Sequence, residues 1–87
     1  MTNKQKLTNC FNNAIARKAK YIGVAVVNEN YPGVEVIINP NENFRDKLEY
    51  YHNAYDDNLE LKTYSAIKIT AFTYGDDIEK IGTDLLV

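Results

Sequence analysis

Residues 21–39 read YIGVAVVNENYPGVEVIIN, two runs of β-branched residues on either side of a short polar stretch. The spacing predicts strands over 21–28 and 34–39, because branched side chains suit a pleated surface. Pro32 and Gly33 mark the turn between them. A connection this short predicts an antiparallel hairpin. Ile22, Val24 and Val26 fall on one side of the first strand, and Val34, Val36 and Ile38 on one side of the second. The expectation is that these rows share one strongly apolar face. Tyr21, Gly23, Ala25 and Val27 would then share the mixed face with Glu35 and Ile37.

Upstream of the hairpin, residues 2–20 predict an amphipathic helix. Leu7, Cys10, Phe11, Ala14, Ile15 and Ala19 recur at three- and four-residue intervals. Thr2 with Gln5 fits a capping box, and Lys18 and Lys20 would close the last turn. Downstream, Asn39-Pro40-Asn41-Glu42 has the composition of a helix start, with Asn39 as cap and Glu42 completing the box. Phe44, Leu48, Tyr51 and Tyr55 carry that helix to about Asp56. Residues 61–74 alternate as one long strand with a buried face. Asp76 or Asp77 then caps a short last helix with Ile78, Ile81 and Leu85 in register.

The element order is α-β-β-α-β-α. It predicts a single domain over residues 1–87, an α/β two-layer sandwich of the α+β type. Its three-stranded, largely antiparallel sheet would carry all helices on one face. The third strand pairs either beside the first, giving order 2-1-3, or in parallel with the second through a right-handed crossover. The length of the third strand favours the first arrangement. The core is read as Leu7, Phe11, Ile15, Ile22, Val24, Val26, Val36, Ile38, Phe44, Leu48, Tyr51, Ile67 and Ile69.

The chain has 87 residues, 45% hydrophobic and 25% charged, enough for one core and too apolar for disorder. No apolar run approaches the roughly 18 residues of a membrane helix. The opening MTNKQKLTNCFNN lacks the apolar core of a secretory signal. A lone Cys10 excludes an internal disulfide, and a cytoplasmic location is expected. Asn, Lys, Ile and Tyr supply 34 of the 87 residues. All four have AT-rich codons, which points to a phage or mobile element of a low-GC Gram-positive bacterium.

The net charge of -2 argues against wholesale coating of nucleic acid. The charge is unevenly spread: residues 1–20 carry five bases and no acid. On a helical wheel Lys6, Asn13, Arg17 and Lys20 form a polar stripe able to meet phosphates. Tyr64, Lys68 and Phe72 share one side of the predicted third strand. Aromatics interleaved with lysine can stack on bases or mark a protein interface.

His52, the one histidine, falls on the charged side of its helix, and Cys10 falls on the apolar side of the first. Neither position predicts catalysis. Residues 56–60, DDNLE, lack the glycine of a calcium loop. Glu60-Leu61-Lys62 resembles the Glu-x-Lys of certain metal-dependent nucleases, which would make those two residues the catalytic pair. It follows the second helix, however, and lacks the expected upstream aspartate in a strand. No glycine-rich phosphate loop is present, and no cofactor or metal is expected. The sequence therefore predicts a small non-enzymatic interaction or regulatory protein that offers a preformed surface to a protein partner. A nucleic-acid binder using the first helix is the alternative, with the nuclease a distant third. A homodimer through a sheet edge is a further expectation, on the reasoning that the long third strand outruns its neighbours.

Overall fold

The computed structural model describes residues 1–86. Its elements are α1 (Asn3–Ala16), β1 (Tyr21–Asn28), β2 (Tyr31–Pro40), a 3-10 turn (Asn41–Asn43), α2 (Phe44–Ala54), β3 (Glu60–Leu61), β4 (Tyr64–Gly75) and α3 (Ile78–Leu86). The strands form one antiparallel sheet in the order β2-β1-β4-β3. The mixed class and the place of the long strand beside β1 follow the sequence reading. There are four strands rather than three, because a turn at Lys62–Thr63 divides the predicted strand 61–74. The Lys62 N–H donates to the Ala54 carbonyl and the Ile69 N–H to the Leu59 carbonyl, both at 2.9 Å, which folds β3 back on β4. β4 is paired with β1 over Ile67–Gly75, but on its other side it outruns the two-residue β3, whose pairing stops at Lys68. Two stretches of the sheet border therefore lack a strand partner, all of β2 on one side and β4 beyond Ile69 on the other.

The Thr2–Gln5 capping box forms as the sequence predicts, with reciprocal bonds of 2.8 and 3.1 Å. α1 stops at Ala16, earlier than predicted. Lys18 takes a left-handed φ of 55°. The Lys18 N–H then reaches the Ile15 carbonyl at 3.2 Å and the Ala19 N–H the Ala14 carbonyl at 3.0 Å. This is a Schellman closure, and Ala19 is buried against the core as its apolar contact. Lys18 and Lys20 therefore stand outside the helix, not in its last turn. Glycine adopts this conformation without the steric cost lysine bears. Lys18→Gly is expected to raise stability by about 0.5–1 kcal/mol, read as a higher urea midpoint; an unchanged or lower midpoint contradicts the assignment.

The predicted start of the second helix is also displaced. Asn39 lies inside β2, paired with Ile22, and the Asn41 N–H continues the ladder to the Lys20 carbonyl at 2.9 Å. Strand pairing has taken the residues that would otherwise cap. α2 begins at Phe44 with no side-chain cap.

Helices cover both faces of the sheet, not one. α1 and α2 pack Leu7, Phe11, Ala14, Phe44 and Tyr51 against Ile22, Val24 and Ile69. α3 lies on the other face, its Ile81 and Leu85 over Ala25, with Val36, Ile38 and Ala71 beside them. The reason is the hairpin register. Gly23 pairs with Ile38 and Ala25 with Val36, so the apolar row of β2 sits with the small residues of β1. Val36 and Ile38 thus leave the main core for a second one, a shallow apolar trough that α3 fills. Ile78, predicted in the same row as Ile81, is exposed. Asp77 rather than Asp76 caps this helix, accepting from the Glu79 N–H at 3.0 Å.

β4 carries a bulge at Thr70: Ala25 pairs with Ala71, but Val26 pairs with Ile69. The strict alternation read from residues 61–74 changes phase there. Ile67 and Ile69 face α1 and α2, and beyond the bulge so do Phe72 and Tyr74. Between α2 and β3, Leu59 is buried at a φ of 61° within what the sequence reads as a polar turn. Asp56 holds that turn, its carboxylate accepting from the Asn58 N–H at 2.9 Å and the Glu60 N–H at 3.0 Å. The left-handed backbone costs about 1–2 kcal/mol, and burying the leucine side chain offsets it by a similar amount.

Candidate functional site

The hairpin end of the sheet is built by an irregularity. Asn28 pairs with Tyr31, while Val26 pairs with Glu35. Val27 thus stands opposite Pro32, Gly33 and Val34, two residues more than regular pairing allows. Gly33, at a φ of 98°, absorbs the excess in a conformation that side chains resist. The Asn28 carboxamide accepts from the Asn30 N–H at 3.0 Å, and the Glu29 N–H donates to the Ala66 carbonyl at 3.0 Å. The Asn30 side chain donates to the Tyr64 hydroxyl. The turn is therefore fastened to β4 at two points.

The bulge pushes side chains outward. Tyr31 is 70% exposed, Val34 44% and Tyr64 45%. A groove of about 410 Å³ opens here, its walls including Val26, Tyr31, Val34, Glu35 and Ile67. Its chemistry is an apolar wall with one carboxylate, on a frame that the sheet holds rigid.

Of the residues the sequence singles out on the third strand, Tyr64 and Lys68 lie toward this end and Phe72 does not. Lys68 pairs with Val27, away from the main core. Phe72, shifted by the Thr70 bulge, packs half-buried against the core under α1. The row Tyr64, Lys68 and Phe72 therefore does not form one surface. Tyr31 and Val34 were missed, because a tyrosine and a valine flanking Pro-Gly read as turn and strand start; the aromatic inside a polar turn was the available signal.

The basic stripe is partly assembled. Lys6 and Asn13 border a second groove, about 310 Å³, between α1 and β4, together with Cys10, Phe72 and Tyr74. Arg17 is the exposed C-cap of α1. Lys20 lies past the helix, where its backbone N–H donates to the Asp76 carboxylate at 2.9 Å. The early end of α1 removes Lys20 from the helical wheel.

Burial pushes the Cys10 thiol up to about 11. At pH 8 its thiolate fraction is then roughly 100-fold below that of an unperturbed cysteine, and alkylation by iodoacetamide is expected to slow in proportion. Modification at the rate of a free thiol would mean that the groove opens. Tyr51 is likewise raised to about 12, first by burial and then by the neighbouring Tyr55 and Tyr50. Both groups are acids held neutral in the fold. Their stabilisation is complete below the unfolded values near 9 and 10 and is lost as pH rises through 11 and 12. A thermal midpoint that falls between pH 9 and 12 is the expected result; a flat profile there contradicts it.

His52 is exposed on α2 and, with Arg45 and Glu49, faces Thr8 and Asn12 of α1 across a groove. The Asp56 carboxylate is occupied by backbone N–H groups. Glu60 is half-buried opposite Lys68, while Lys62 is exposed in the following turn. Among the described residues no group of three His, Cys, Asp or Glu is placed to hold a metal ion, and no helix is long and apolar enough to cross a membrane. The chain matches no protein-family profile, no curated protein and no solved structure.

Proposed function

We propose that this chain is a small, non-enzymatic cytoplasmic interaction protein that presents the hairpin end of its sheet to a protein partner. The observation that carries the reading is the exposure of Tyr31 and Val34, which line one groove beside a turn whose Asn30 bonds the exposed Tyr64. Tyrosine gives a large contact area with few rotatable bonds, and interface centres are enriched in it. The partner surface that fits is apolar, with a donor to meet Glu35. The test is affinity capture from the native host with wild type and with Tyr31→Ser/Tyr64→Ser. Retention of the captured protein is expected to fall about tenfold or more, as for loss of two aromatic anchors, with circular dichroism unchanged. Equal retention overturns the reading. His52→Ala, remote from this end, is expected to leave retention intact.

A second reading rests on the groove where Lys6 and Asn13 meet Phe72 and Tyr74. A cation beside aromatic rings suits a single nucleic-acid strand. Lys6→Ala would then lower the slope of log affinity against log salt by about 0.7; binding with no salt dependence excludes it.

A further inference from the structure

We propose that two copies of this chain join along β2, antiparallel about a two-fold axis through Ile37, to make one continuous eight-stranded sheet. The proposal rests on the β2 backbone and not on Tyr31 or Tyr64, although Glu35 borders both surfaces.

The backbone of β2 argues for it first. β2 is the outermost strand of the sheet, and its bulge with Pro32 and Gly33 blunts only the hairpin end. From Glu35 to Pro40 it pairs with β1 residue for residue, so its outer border there is a regular row of backbone groups. Nothing in Val34–Asn39 blunts that row except the single charge of Glu35.

The side chains then select a second copy and one register. A two-fold axis normal to the sheet keeps its two faces distinct. The axis must therefore pass through a residue, and each residue meets one of its own parity. An axis at Glu35 sets two carboxylates opposite each other. An axis at Val36 sets each carboxylate against Ile37. An axis at Ile37 sets Val36 against Ile38 on the α3 face, Ile37 against itself, and Glu35 against Asn39 on the face of α1 and α2. An axis at Ile38 sets Ile37 against Asn39 and Val36 against Pro40. Of these four, only the axis at Ile37 gives each side chain a fitting neighbour. The Asn39 amide is a donor, and in this register it stands opposite the partner's Glu35 carboxylate. The complement to the only charge on this border is thus encoded on the same strand, as an isologous contact requires.

About six residues a side bury less than the roughly 1,200 Å² of stable complexes, so the dimer is expected to be weak and concentration-dependent. The test has two parts. Sedimentation equilibrium of the full chain from about 10 µM to 1 mM, the range such interfaces occupy, is expected to show a rise from one-chain to two-chain mass. Disulfide trapping in a Cys10→Ser background then reads the register. Ile37→Cys places two thiols across the axis, where paired Cα atoms lie about 4.5–5.5 Å apart, within disulfide reach. It should form covalent dimer at least about tenfold faster than Val36→Cys, whose symmetry mate is displaced along the strand. A one-chain mass at every concentration overturns the proposal. So does trapping by Val36→Cys that equals or exceeds that of Ile37→Cys. Loss of partner capture by the Tyr31→Ser/Tyr64→Ser variant bears only on the hairpin end, so the two readings fail separately.

Discussion

Phe11→Ala is expected to remove about 3–5 kcal/mol of stability. Phe11 is wholly buried at the centre of the main core. Its ring meets Phe44 edge-on, centroids 6.2 Å apart at 87°, and lies 6.0 Å from Tyr51. Truncation removes both aromatic contacts and leaves a cavity walled by three different elements. α1, α2 and the sheet cannot all move in to fill it, so the transfer loss and the cavity loss add. A domain of this length has roughly 5–10 kcal/mol in total. The variant should therefore lose up to half of its stability or more and melt well below wild type. Urea unfolding followed by circular dichroism measures this, and a loss under about 1 kcal/mol would place Phe11 outside the core. Phe44→Ala, which removes the partner ring, should lose less in the Phe11→Ala background than alone, because the two share one contact.

Gly23→Val is the second large effect, and it acts on the other face. A Cβ built at Gly23 lies 2.4 Å from Ile81 Cγ2 and 2.8 Å from Leu85 Cδ1. These are the two buried side chains by which α3 holds the sheet. Ile81 is branched at Cβ and closely packed, so its methyl has little freedom to swing aside. A valine there has to push α3 away from the sheet. The expected loss is about 2–3 kcal/mol. It should come with faster hydrogen exchange throughout Ile78–Leu86 and little change in α1 or α2. Uniformly faster exchange, or none, would show that α3 is not an independent cover. Gly82→Ala makes a useful contrast. A Cβ at Gly82 meets nothing within 4 Å, and the helix should gain up to about 1 kcal/mol.

The local signals in the sequence were strong where one element could satisfy itself. The Thr2–Gln5 box and the 3.6-residue stripe of Leu7, Phe11 and Ala14 formed as read, and so did the hairpin, except that its turn is Glu29–Asn30 and β2 begins at Tyr31, taking in Pro32 and Gly33. Each depends on neighbours within a few residues. The start of the second helix failed because Asn39 and Pro40 had a better use: they continue the β1 ladder, and a strand bond outcompetes a side-chain cap. Leu59 failed for a similar reason, since a core position outweighed the turn composition around it.

The sequence alone determined the mixed class, the antiparallel hairpin and the centre of the main core at Leu7, Phe11, Ile22, Val24, Phe44, Tyr51 and Ile69, while buried Tyr55, Leu59, Ile81 and Leu85 were not read as core. The faces on which side chains bury were decided by tertiary structure. Period-2 reading assigns a side chain to one of two rows, but the row has no absolute direction until a partner strand fixes the register. The extra hairpin residues at Pro32–Val34 and the Thr70 bulge each act on that register. The hairpin register set Val36 and Ile38 beside Gly23 and Ala25, and so placed α3 on the face opposite α1 and α2. The Thr70 bulge turned Phe72 inward and broke up the surface it was read to share with Tyr64 and Lys68. Tyr31 and Val34 are exposed for another reason: they flank the irregular hairpin end, where three residues stand opposite Val27 and leave the regular ladder.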